Sequence, residues 1–522
     1  MERAPPEAVQ RVCPACSTVA YTAAARCPWC GAGYRRRLWP ALLAVAVVQT
    51  AIVLGGVALM LAAAGDELNR RLDVAVRTVQ RDVDATLAGL ERTVRSELDR
   101  RLPPRPERLV RRHPARGGAA RRRPAVLGSA AMTTPARGIL SGRLAGFGTT
   151  IFAEMSALAL RTGSLNLGQG FPDTDGPAEV LEAAVAAIRA GHNQYPPGPG
   201  IPALRHAIAG HQRRFHGQEL DPDAEVLVTT GATEAIAAAL HALCEPGDEV
   251  VCFEPYYDSY AACIAMAGAE RRVVTLRPPD WAVDPDELAA AFSSRTRLVL
   301  LNTPHNPTGK VFSRAELELI AAHCRERDVL AVSDEVYEHL VFDGEHVVLA
   351  TLPGMADRTV TISSAGKTFS VTGWKIGWAC GRPELVRAVQ TAKQFLTFTS
   401  GTPWQHAIAH ALTLPDAYFA AFTAGLRAKR DRLCAGLEAA GLEVHRPAGT
   451  YFVNADIRPL GEDDGLAFCW SLPERAGLVA VPTVVFYDDR AVGRPLVRFA
   501  FCKRDEVIDE AAARLARLGR SA

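Results

Sequence analysis

Residues 132–522 of this 522-residue chain predict an α/β fold with a largely parallel sheet. Apolar runs with the composition of strands alternate there with helix-like stretches rich in Ala and Leu, which is typical of such sheets. Polar side chains follow several of the strand-like runs directly, for example Asn302 and Asp334. Because ligands of parallel sheets bind at the carboxyl ends of the strands, we expect these side chains to form one site.

Charge separates this region from the residues before it. The whole chain has a net charge of +2, but residues 1–131 alone carry +11 and residues 132–522 carry −9. The chain has only six lysines, and the first is Lys310, so arginine supplies most of the positive charge. We interpret the two parts separately, and the near-zero net charge of the whole chain favours a protein without a nucleic-acid partner.

Two CxxC pairs stand near the start of the chain. Cys13 and Cys16 form the first pair, and Cys27 and Cys30 form the second after ten intervening residues. Four thiolates at this spacing can surround one tetrahedral Zn²⁺ ion and leave no open coordination position. The pattern predicts a structural zinc ribbon over residues 1–34, with these four cysteines as its ligands.

The next segment predicts a membrane anchor with a helical stalk. Residues 38–64 contain no charged side chain and are long enough to cross a bilayer as a helix. Apolar residues then recur with an eleven-residue period from Leu68 to Leu98, which predicts a coiled-coil helix over residues 66–102. Residues 103–136 are rich in Arg and Pro and are expected to form a disordered linker.

The remaining region contains six motifs that are distinctive together. In chain order they are NLGQGFPD at 166–173, NQYPPGPG at 193–200, NTPHNPTGK at 302–310, SDEVYEHL at 333–340, SSAGKTFSVTGWKIGW at 363–378 and LVRFAFCK at 496–503. With these motifs the chain, over about residues 141–516, resembles the fold type I, class I/II aminotransferases that depend on pyridoxal phosphate. It is similar to the branch of kynurenine and methionine aminotransferases and cysteine-conjugate β-lyases, and most similar to actinobacterial N-succinyldiaminopimelate aminotransferases.

The resemblance implies the domain organisation. A three-layer α/β/α large domain with a mixed, mostly parallel sheet is expected over residues 181–420. A small α+β domain is expected from residues 137–180 and 421–522 together. The resemblance also implies pyridoxal 5′-phosphate as the cofactor and a homodimer as the active unit.

The resemblance assigns roles to the groups around the cofactor ring. Lys367 corresponds to the lysine that condenses with the cofactor aldehyde and then moves a proton. Asp334 corresponds to the carboxylate that keeps the pyridine nitrogen protonated, so that the ring can withdraw electrons. Tyr337 and Asn306 correspond to the groups that hydrogen-bond the phenolic oxygen, and Tyr257 corresponds to the aromatic residue that stacks on the ring.

The cofactor phosphate is expected at the start of a helix. Small residues follow the strand-like run 225–230, and free amides at a helix N-terminus suit a phosphate. A buried phosphate also needs a full positive charge nearby. The resemblance therefore implies that the phosphate is bound by Gly231, Ala232, Thr233, Ser364, Lys375 and the partner subunit's Tyr195.

The substrate α-carboxylate is expected to bind Arg498, because a planar guanidinium binds a carboxylate through two hydrogen bonds. The resemblance implies that Asn302 and the backbone amide of Gly170 make the supporting contacts of this arginine and that Phe152 lines the substrate pocket. Thr233 stands where relatives that prefer aromatic substrates often carry a tyrosine. This difference favours an aliphatic or polar substrate.

The resemblance implies an aminotransferase that moves the amino group of an L-amino acid to a 2-oxo acid. The favoured reaction joins N-succinyl-LL-2,6-diaminopimelate and 2-oxoglutarate, in lysine and diaminopimelate biosynthesis. Kynurenine or methionine transamination and β-elimination from cysteine conjugates are alternatives that use the same residues. A non-catalytic, membrane-anchored sensor is a more distant alternative.

Two expectations about location conflict. The arginines before the apolar stretch place the N-terminus in the cytoplasm and the residues after the stretch outside it. Pyridoxal phosphate, 2-oxoglutarate and lysine biosynthesis, however, are cytoplasmic. We therefore expect a cytoplasmic catalytic part that begins natively near Met132, with residues 1–131 belonging to a separate reading frame or a rare fusion. A genuine fusion would carry a single-pass membrane anchor.

Overall fold

The computed structural model of the protein describes residues 9–12, 19–22 and 140–518. The chain divides into two compact units, residues 1–136 and residues 137–522. The division falls at the end of the stretch that is rich in Arg and Pro, where the composition of the sequence also changes.

In the first unit, the described residues form a two-stranded antiparallel sheet. Strand β1 (Val9–Val12) pairs with strand β2 (Val19–Thr22). Among the described residues, no helix has both the length and the apolar character needed to cross a bilayer. Several predictions concern residues outside the described ones, namely the zinc ligands Cys13, Cys16, Cys27 and Cys30, the membrane helix 38–64, the coiled coil 66–102 and the linker 103–136.

The strands and helices of the second unit alternate along much of the chain. In chain order the strands are β3 (Leu165–Asn166), β4 (Val226–Thr229), β5 (Glu249–Glu254), β6 (Glu270–Thr275), β7 (Thr296–Asn302), β8 (Leu330–Asp334), β9 (Thr359–Ser364), β10 (Gly377–Cys380), β11 (Glu443–His445), β12 (Phe452–Asp456), β13 (Leu478–Val479), β14 (Val481–Pro482) and β15 (Leu496–Ala500). The helices are α1 (Ile151–Thr162), α2 (Ala178–Arg189), α3 (Pro202–His216), α4 (Gly231–Leu243), α5 (Asp258–Ala267), α6 (Pro285–Ala291), α7 (Arg314–Glu326), α8 (Ala365–Thr368), α9 (Pro383–Leu396), α10 (Thr402–Ala411), α11 (Asp416–Ala439), α12 (Gly465–Ala476), α13 (Arg490–Gly493) and α14 (Asp505–Leu518).

Seven of these strands form one mixed sheet in the order β4-β10-β9-β8-β7-β5-β6. Strand β10 runs antiparallel to both of its neighbours, and the other neighbouring pairs are parallel. The prediction of a mixed, mostly parallel sheet is therefore confirmed.

Helices cover both faces of this sheet because its strands are apolar on both faces. In strand β5, Val250 and Cys252 pack in one core with helices α4, α5 and α9. The alternate residues Val251 and Phe253 pack in another core with helices α6 and α7. Successive side chains of a strand point to opposite faces, so the two cores lie on opposite sides of the sheet.

A second sheet of four antiparallel strands, in the order β11-β12-β15-β14, packs against helices α11, α12 and α14. Strand β15 carries Arg498, which is paired in register with Asn454 on β12. The short strand β3 pairs with β13, and the carbonyl of Leu167 accepts a hydrogen bond from the amide of Ala500. These pairings hold the motif at residues 166–173 beside Arg498.

Candidate active site

A cavity of about 310 Å³ lies at the carboxyl ends of strands β7, β8 and β9. It brings together predicted site residues from segments that are far apart in sequence. The predicted residues that line it are Phe152, Gly170, Gly231, Ala232, Thr233, Tyr257, Asn302, Asn306, Asp334, Tyr337, Ser364, Lys367, Lys375 and Arg498.

Lys367 lies in the short helix α8, directly after strand β9. Its amine is 5.6 Å from the ring centroid of Tyr337 and 5.7 Å from that of Tyr451. Burial lowers the pKa of Lys367 to about 8, and the nearby Cys502 and Asp334 oppose this change. Such an amine is partly uncharged near neutral pH, and the uncharged form is the nucleophile.

Asp334 ends strand β8, and its carboxylate is buried. The hydroxyl of Tyr260 donates a hydrogen bond to Oδ2 over 2.5 Å, and the amide of Val336 donates to Oδ1 over 3.4 Å. Burial raises the pKa of Asp334 to about 6, and the bond from Tyr260 acts in the opposite direction. A cationic group in the cavity would stabilise the ionised carboxylate further.

Tyr260 is a site residue that the sequence-based prediction misses. It lies in helix α5, three residues after Tyr257, and the two ring centroids are 5.7 Å apart with nearly perpendicular planes. Tyr257 stands directly before the helix and Tyr260 lies in its first turn, and both line the cavity. The signal in the sequence is a second tyrosine three residues after Tyr257, at the start of the same helix.

Tyr337 and Tyr257 both keep their hydroxyl protons at neutral pH. Tyr337 is buried beside Tyr451 at a ring-centroid distance of 5.2 Å, and burial raises its pKa above the ordinary value. Burial likewise raises the pKa of Tyr257 to about 12, while a hydrogen bond with Thr233 lowers it slightly. Both hydroxyls can therefore donate hydrogen bonds to a ligand.

The guanidinium of Arg498 is buried and fixed by two acceptors. Nη1 donates to Oδ1 of Asn306 and Nη2 donates to the carbonyl of Gly168, each over 3.0 Å. Its Nε has no hydrogen-bond partner. Burial lowers the pKa of Arg498 to about 10, so the group still carries its charge at neutral pH. A carboxylate would supply the missing acceptor.

Asn302 supports Arg498 through Asn306 rather than directly, which corrects the expected contact. Oδ1 of Asn302 accepts from the backbone amide of Asn306 over 2.7 Å. Nδ2 of Asn302 donates to the backbone oxygen of Asp334 over 2.8 Å. Asn302 thus ties the segment that bears Asn306 to the end of strand β8.

Aromatic rings surround the guanidinium. The centroid of Phe452 is 4.0 Å and that of Phe152 is 5.2 Å from the central carbon of Arg498. Gly170 allows this packing, because a Cβ there would lie 2.3 Å from the Phe452 ring. Its carbonyl accepts a hydrogen bond from the hydroxyl of Tyr451. The expected supporting contact of the Gly170 amide stays a prediction.

The turn between strand β4 and helix α4 is a second anion-binding feature. Gly231 begins the helix with a φ of 76°, a conformation that favours glycine. A Cβ on Gly377 would lie 2.6 Å from the Gly231 backbone, so strand β10 passes close to the turn. The amine of Lys375 is 3.2 Å from the position of a Cβ on Gly231. A positive charge and a helix N-terminus therefore stand together.

Tyr195 does not line the cavity within one chain. Its side chain is 82% exposed, and its ring makes an edge contact with Phe398 at a centroid distance of 5.4 Å. The expectation that Tyr195 reaches the phosphate of a partner subunit therefore stays a prediction.

Comparison with known proteins assigns the family. The family described as aminotransferase class I and II matches residues 162–515. The chain belongs to the class I and II aminotransferase family. This aminotransferase is 54% identical over 384 residues to a probable N-succinyldiaminopimelate aminotransferase of Mycobacterium tuberculosis, covering 72% of this chain and 97% of the relative. It is 40% identical to a methionine aminotransferase of Escherichia coli, covering 73% of this chain and 98% of the relative.

Solved structures agree with this assignment. N-succinyldiaminopimelate aminotransferase from Mycobacterium tuberculosis superposes with a TM-score of 0.71 at 55% identity, covering 73% of this chain and 100% of the other. A methionine aminotransferase from Escherichia coli gives the same TM-score at 40% identity, with the same coverage. The predicted fold type I architecture of the catalytic part is confirmed.

Pyridoxal 5′-phosphate is the cofactor of this aminotransferase family, and the cavity fits it. The turn at Gly231 with Lys375 suits the phosphate, and the buried Asp334 suits a protonated ring nitrogen. The amine of Lys367 suits the aldehyde, and Arg498 is left with an unpartnered donor for a second anion. The bound cofactor supplies an aldehyde that takes up an amino group and a ring that accepts electrons from the substrate α-carbon.

Proposed function

We propose that this aminotransferase transfers the amino group of N-succinyl-LL-2,6-diaminopimelate to 2-oxoglutarate, in lysine and diaminopimelate biosynthesis. The observation that carries the substrate assignment is the 54% identity to a relative of that name over 97% of its length. Thr233 stands where relatives that prefer aromatic substrates often carry a tyrosine, and this difference also favours a substrate without an aromatic ring.

In this proposal the amine of Lys367 accepts the proton that leaves the substrate α-carbon and would deliver it to the C4′ carbon of the bound cofactor. A pKa near 8 lets the same amine act as base and as acid close to neutral pH. Asp334 balances the charge of the protonated ring nitrogen. Tyr337 and Asn306 bind the phenolic oxygen, and Tyr257 covers one face of the ring.

The two anion-binding features have separate roles in the proposal. Arg498 binds the α-carboxylate of each substrate in turn and so fixes the orientation of its α-carbon. Phe152 and Gly170 shape the wall beside that carboxylate. The phosphate is bound by Gly231, Ala232, Thr233, Ser364, Lys375 and, across a homodimer interface, the partner subunit's Tyr195.

We also propose an organisation for the rest of the chain. Residues 181–420 form the large domain, and residues 137–180 and 421–522 form the small domain. If residues 1–131 are a genuine fusion, residues 1–34 bind structural zinc through the four N-terminal cysteines and residues 38–64 anchor the chain in a membrane. The catalytic part acts in the cytoplasm, where its substrates are made. Membrane fractionation and metal analysis of the native protein test these assignments.

A half-reaction screen tests the substrate assignment. The holoenzyme is mixed in turn with N-succinyl-LL-2,6-diaminopimelate, methionine, kynurenine and a cysteine conjugate, and the cofactor absorbance is followed. We expect the fastest spectral change with the succinylated substrate. A faster change with methionine or kynurenine would overturn the assignment, and pyruvate release from the cysteine conjugate would indicate β-elimination.

A further inference from the structure

A cluster of histidines and a glutamate lies apart from the cavity lining. Helix α3 supplies His211 and His216, and Glu338 comes from the segment after strand β8. We call these three residues the histidine cluster. His211 and Glu338 are buried, and the side chain of His216 is 7% exposed. The cofactor-binding residues proposed above do not include any of them.

The three side chains are arranged as metal ligands are. One ligand atom from each lies within 4.8 Å of the corresponding atoms of the other two. Nε2 of His216 is 2.7 Å from Oε2 of Glu338. Ligand atoms about 2.0–2.1 Å from a tetrahedral Zn²⁺ ion stand about 3.3 Å apart, which falls within this range of separations.

Neighbouring residues orient the carboxylate. The hydroxyl of Ser363 donates to Oε1 of Glu338 over 2.6 Å, while Oε2 faces His216 and also accepts from Nε2 of Gln212 over 3.4 Å. Such hydrogen bonds to a ligand from a second residue are typical of metal sites. The structure therefore holds one carboxylate oxygen in place for an ion.

One ring nitrogen of the cluster has no hydrogen-bond partner. Nδ1 of His211 is buried and has no hydrogen-bond partner. Its Nε2 faces Nε2 of His339 at 2.8 Å, an arrangement in which two neutral rings share a single proton.

We propose that His211, His216 and Glu338 bind a divalent transition-metal ion of the zinc type. Two imidazole nitrogens and one carboxylate oxygen suit Zn²⁺, with water completing the tetrahedron. Glu338 follows Tyr337 directly, and its partner Ser363 precedes Ser364. The bound ion braces the two segments that carry these cavity residues, and its role is structural.

The chain offers a matched control beside the cluster. Ser333 donates to Glu335 over 2.7 Å, and Nε2 of His346 lies 2.9 Å from the other oxygen of Glu335. This set repeats the serine, glutamate and histidine contacts of the cluster. Among the described residues, only the histidine cluster adds a third ligand within reach.

Equilibrium dialysis of the full-length holoenzyme against Zn²⁺, followed by elemental analysis, tests the proposal. The variants are His216→Gln, His211→Gln and the control His346→Gln. All of them share the four N-terminal cysteines, so the difference in zinc content reports the cluster alone. We expect wild type and His346→Gln to hold one more ion per chain than the two cluster variants, whose affinity falls about 100-fold.

His211→Gln keeps the test valid if His216→Gln does not fold, because it leaves the contact between His216 and Glu338 intact. Co²⁺ in place of Zn²⁺ should give wild type an additional visible absorption, seen in the difference spectrum against each of the two cluster variants, beyond any absorption that the N-terminal cysteines give in all of the chains. Equal zinc content in wild type and His211→Gln would overturn the proposal. So would an equal loss of zinc in His346→Gln.

Discussion

The two anion-binding ends of the cavity are built in different ways. Arg498 is 1% exposed and is fixed by Asn306 and Gly168 before any ligand arrives. Lys375 is exposed and stands at a turn where a helix begins. In the proposed function, the substrate that exchanges in each cycle binds a buried guanidinium that is already oriented. The phosphate of the cofactor, which stays bound, contacts backbone amides and one exposed charge.

Replacing Arg498 by lysine should cause the largest loss of activity among the variants considered. Lysine keeps the charge but cannot form two parallel hydrogen bonds, so kcat/KM for the amino acid should fall about 100-fold, or about 2.7 kcal/mol. Steady-state kinetics of the holoenzyme measure this fall, and the cofactor content should not change. Arg458→Lys, at an exposed arginine that pairs with Asp456, is the control. An equal loss in that variant would contradict the assignment.

The pH dependence of pyridoxal phosphate capture tests Lys367, which belongs to neither anion-binding end of the cavity. Burial lowers the pKa of Lys367 to about 8, so its uncharged fraction rises as the pH increases and levels off above that value. Capture of pyridoxal phosphate by the apoenzyme should therefore accelerate about 10-fold between pH 7 and pH 9. Stopped-flow absorbance measures the rate. A rate that keeps rising tenfold per unit beyond pH 9 would show an ordinary lysine instead.

Replacing Lys375 by alanine should weaken the binding of the cofactor phosphate without weakening the binding of the amino acid. Loss of one exposed charge should raise the Kd for pyridoxal phosphate about 10-fold, while KM for the amino acid changes less than about 2-fold. Fluorescence titration of the apoenzyme gives the Kd. Lys429→Ala is the control, because Lys429 lies in helix α11 and pairs with Asp505. If KM for the amino acid rose as much as Kd for pyridoxal phosphate, the two anion-binding ends of the cavity would not act independently.

Replacing Tyr260 by phenylalanine should give the smallest effect. The hydrogen bond from Tyr260 lowers the pKa of Asp334, so its loss should move the acid limb of the kcat profile to higher pH. We expect kcat to fall about 5-fold with little change in KM. Tyr256→Phe removes a hydroxyl that bonds Asp488 and should leave the profile in place. An unchanged acid limb in Tyr260→Phe would refute this role.

Much of the cavity can be predicted from the sequence because its residues follow the ends of strands. Asn302, Asp334 and Ser364 are the last residues of three neighbouring parallel strands. The alternation of apolar runs fixes where those strands end, and parallel strands bring their carboxyl ends to one edge. Lys367 then follows within one turn of helix.

The rest depends on contacts between distant segments. Gly168 reaches Arg498 across 330 residues of sequence, and Glu338 meets His216 across 122. No periodicity within a helix or strand encodes such pairs, so only the folded chain brings them together. The predicted contact of Tyr195 is still harder to derive from the sequence, because it is made with a second copy of the chain.

Transfer of a labelled amino group tests the central claim most directly. N-succinyl-LL-2,6-diaminopimelate carrying ¹⁵N at its free amine is incubated with 2-oxoglutarate and the holoenzyme, and glutamate is analysed by mass spectrometry. We predict ¹⁵N-glutamate with wild type and none with Lys367→Ala. Unlabelled glutamate, release of the label as ammonia, or equal transfer by Lys367→Ala would contradict the account.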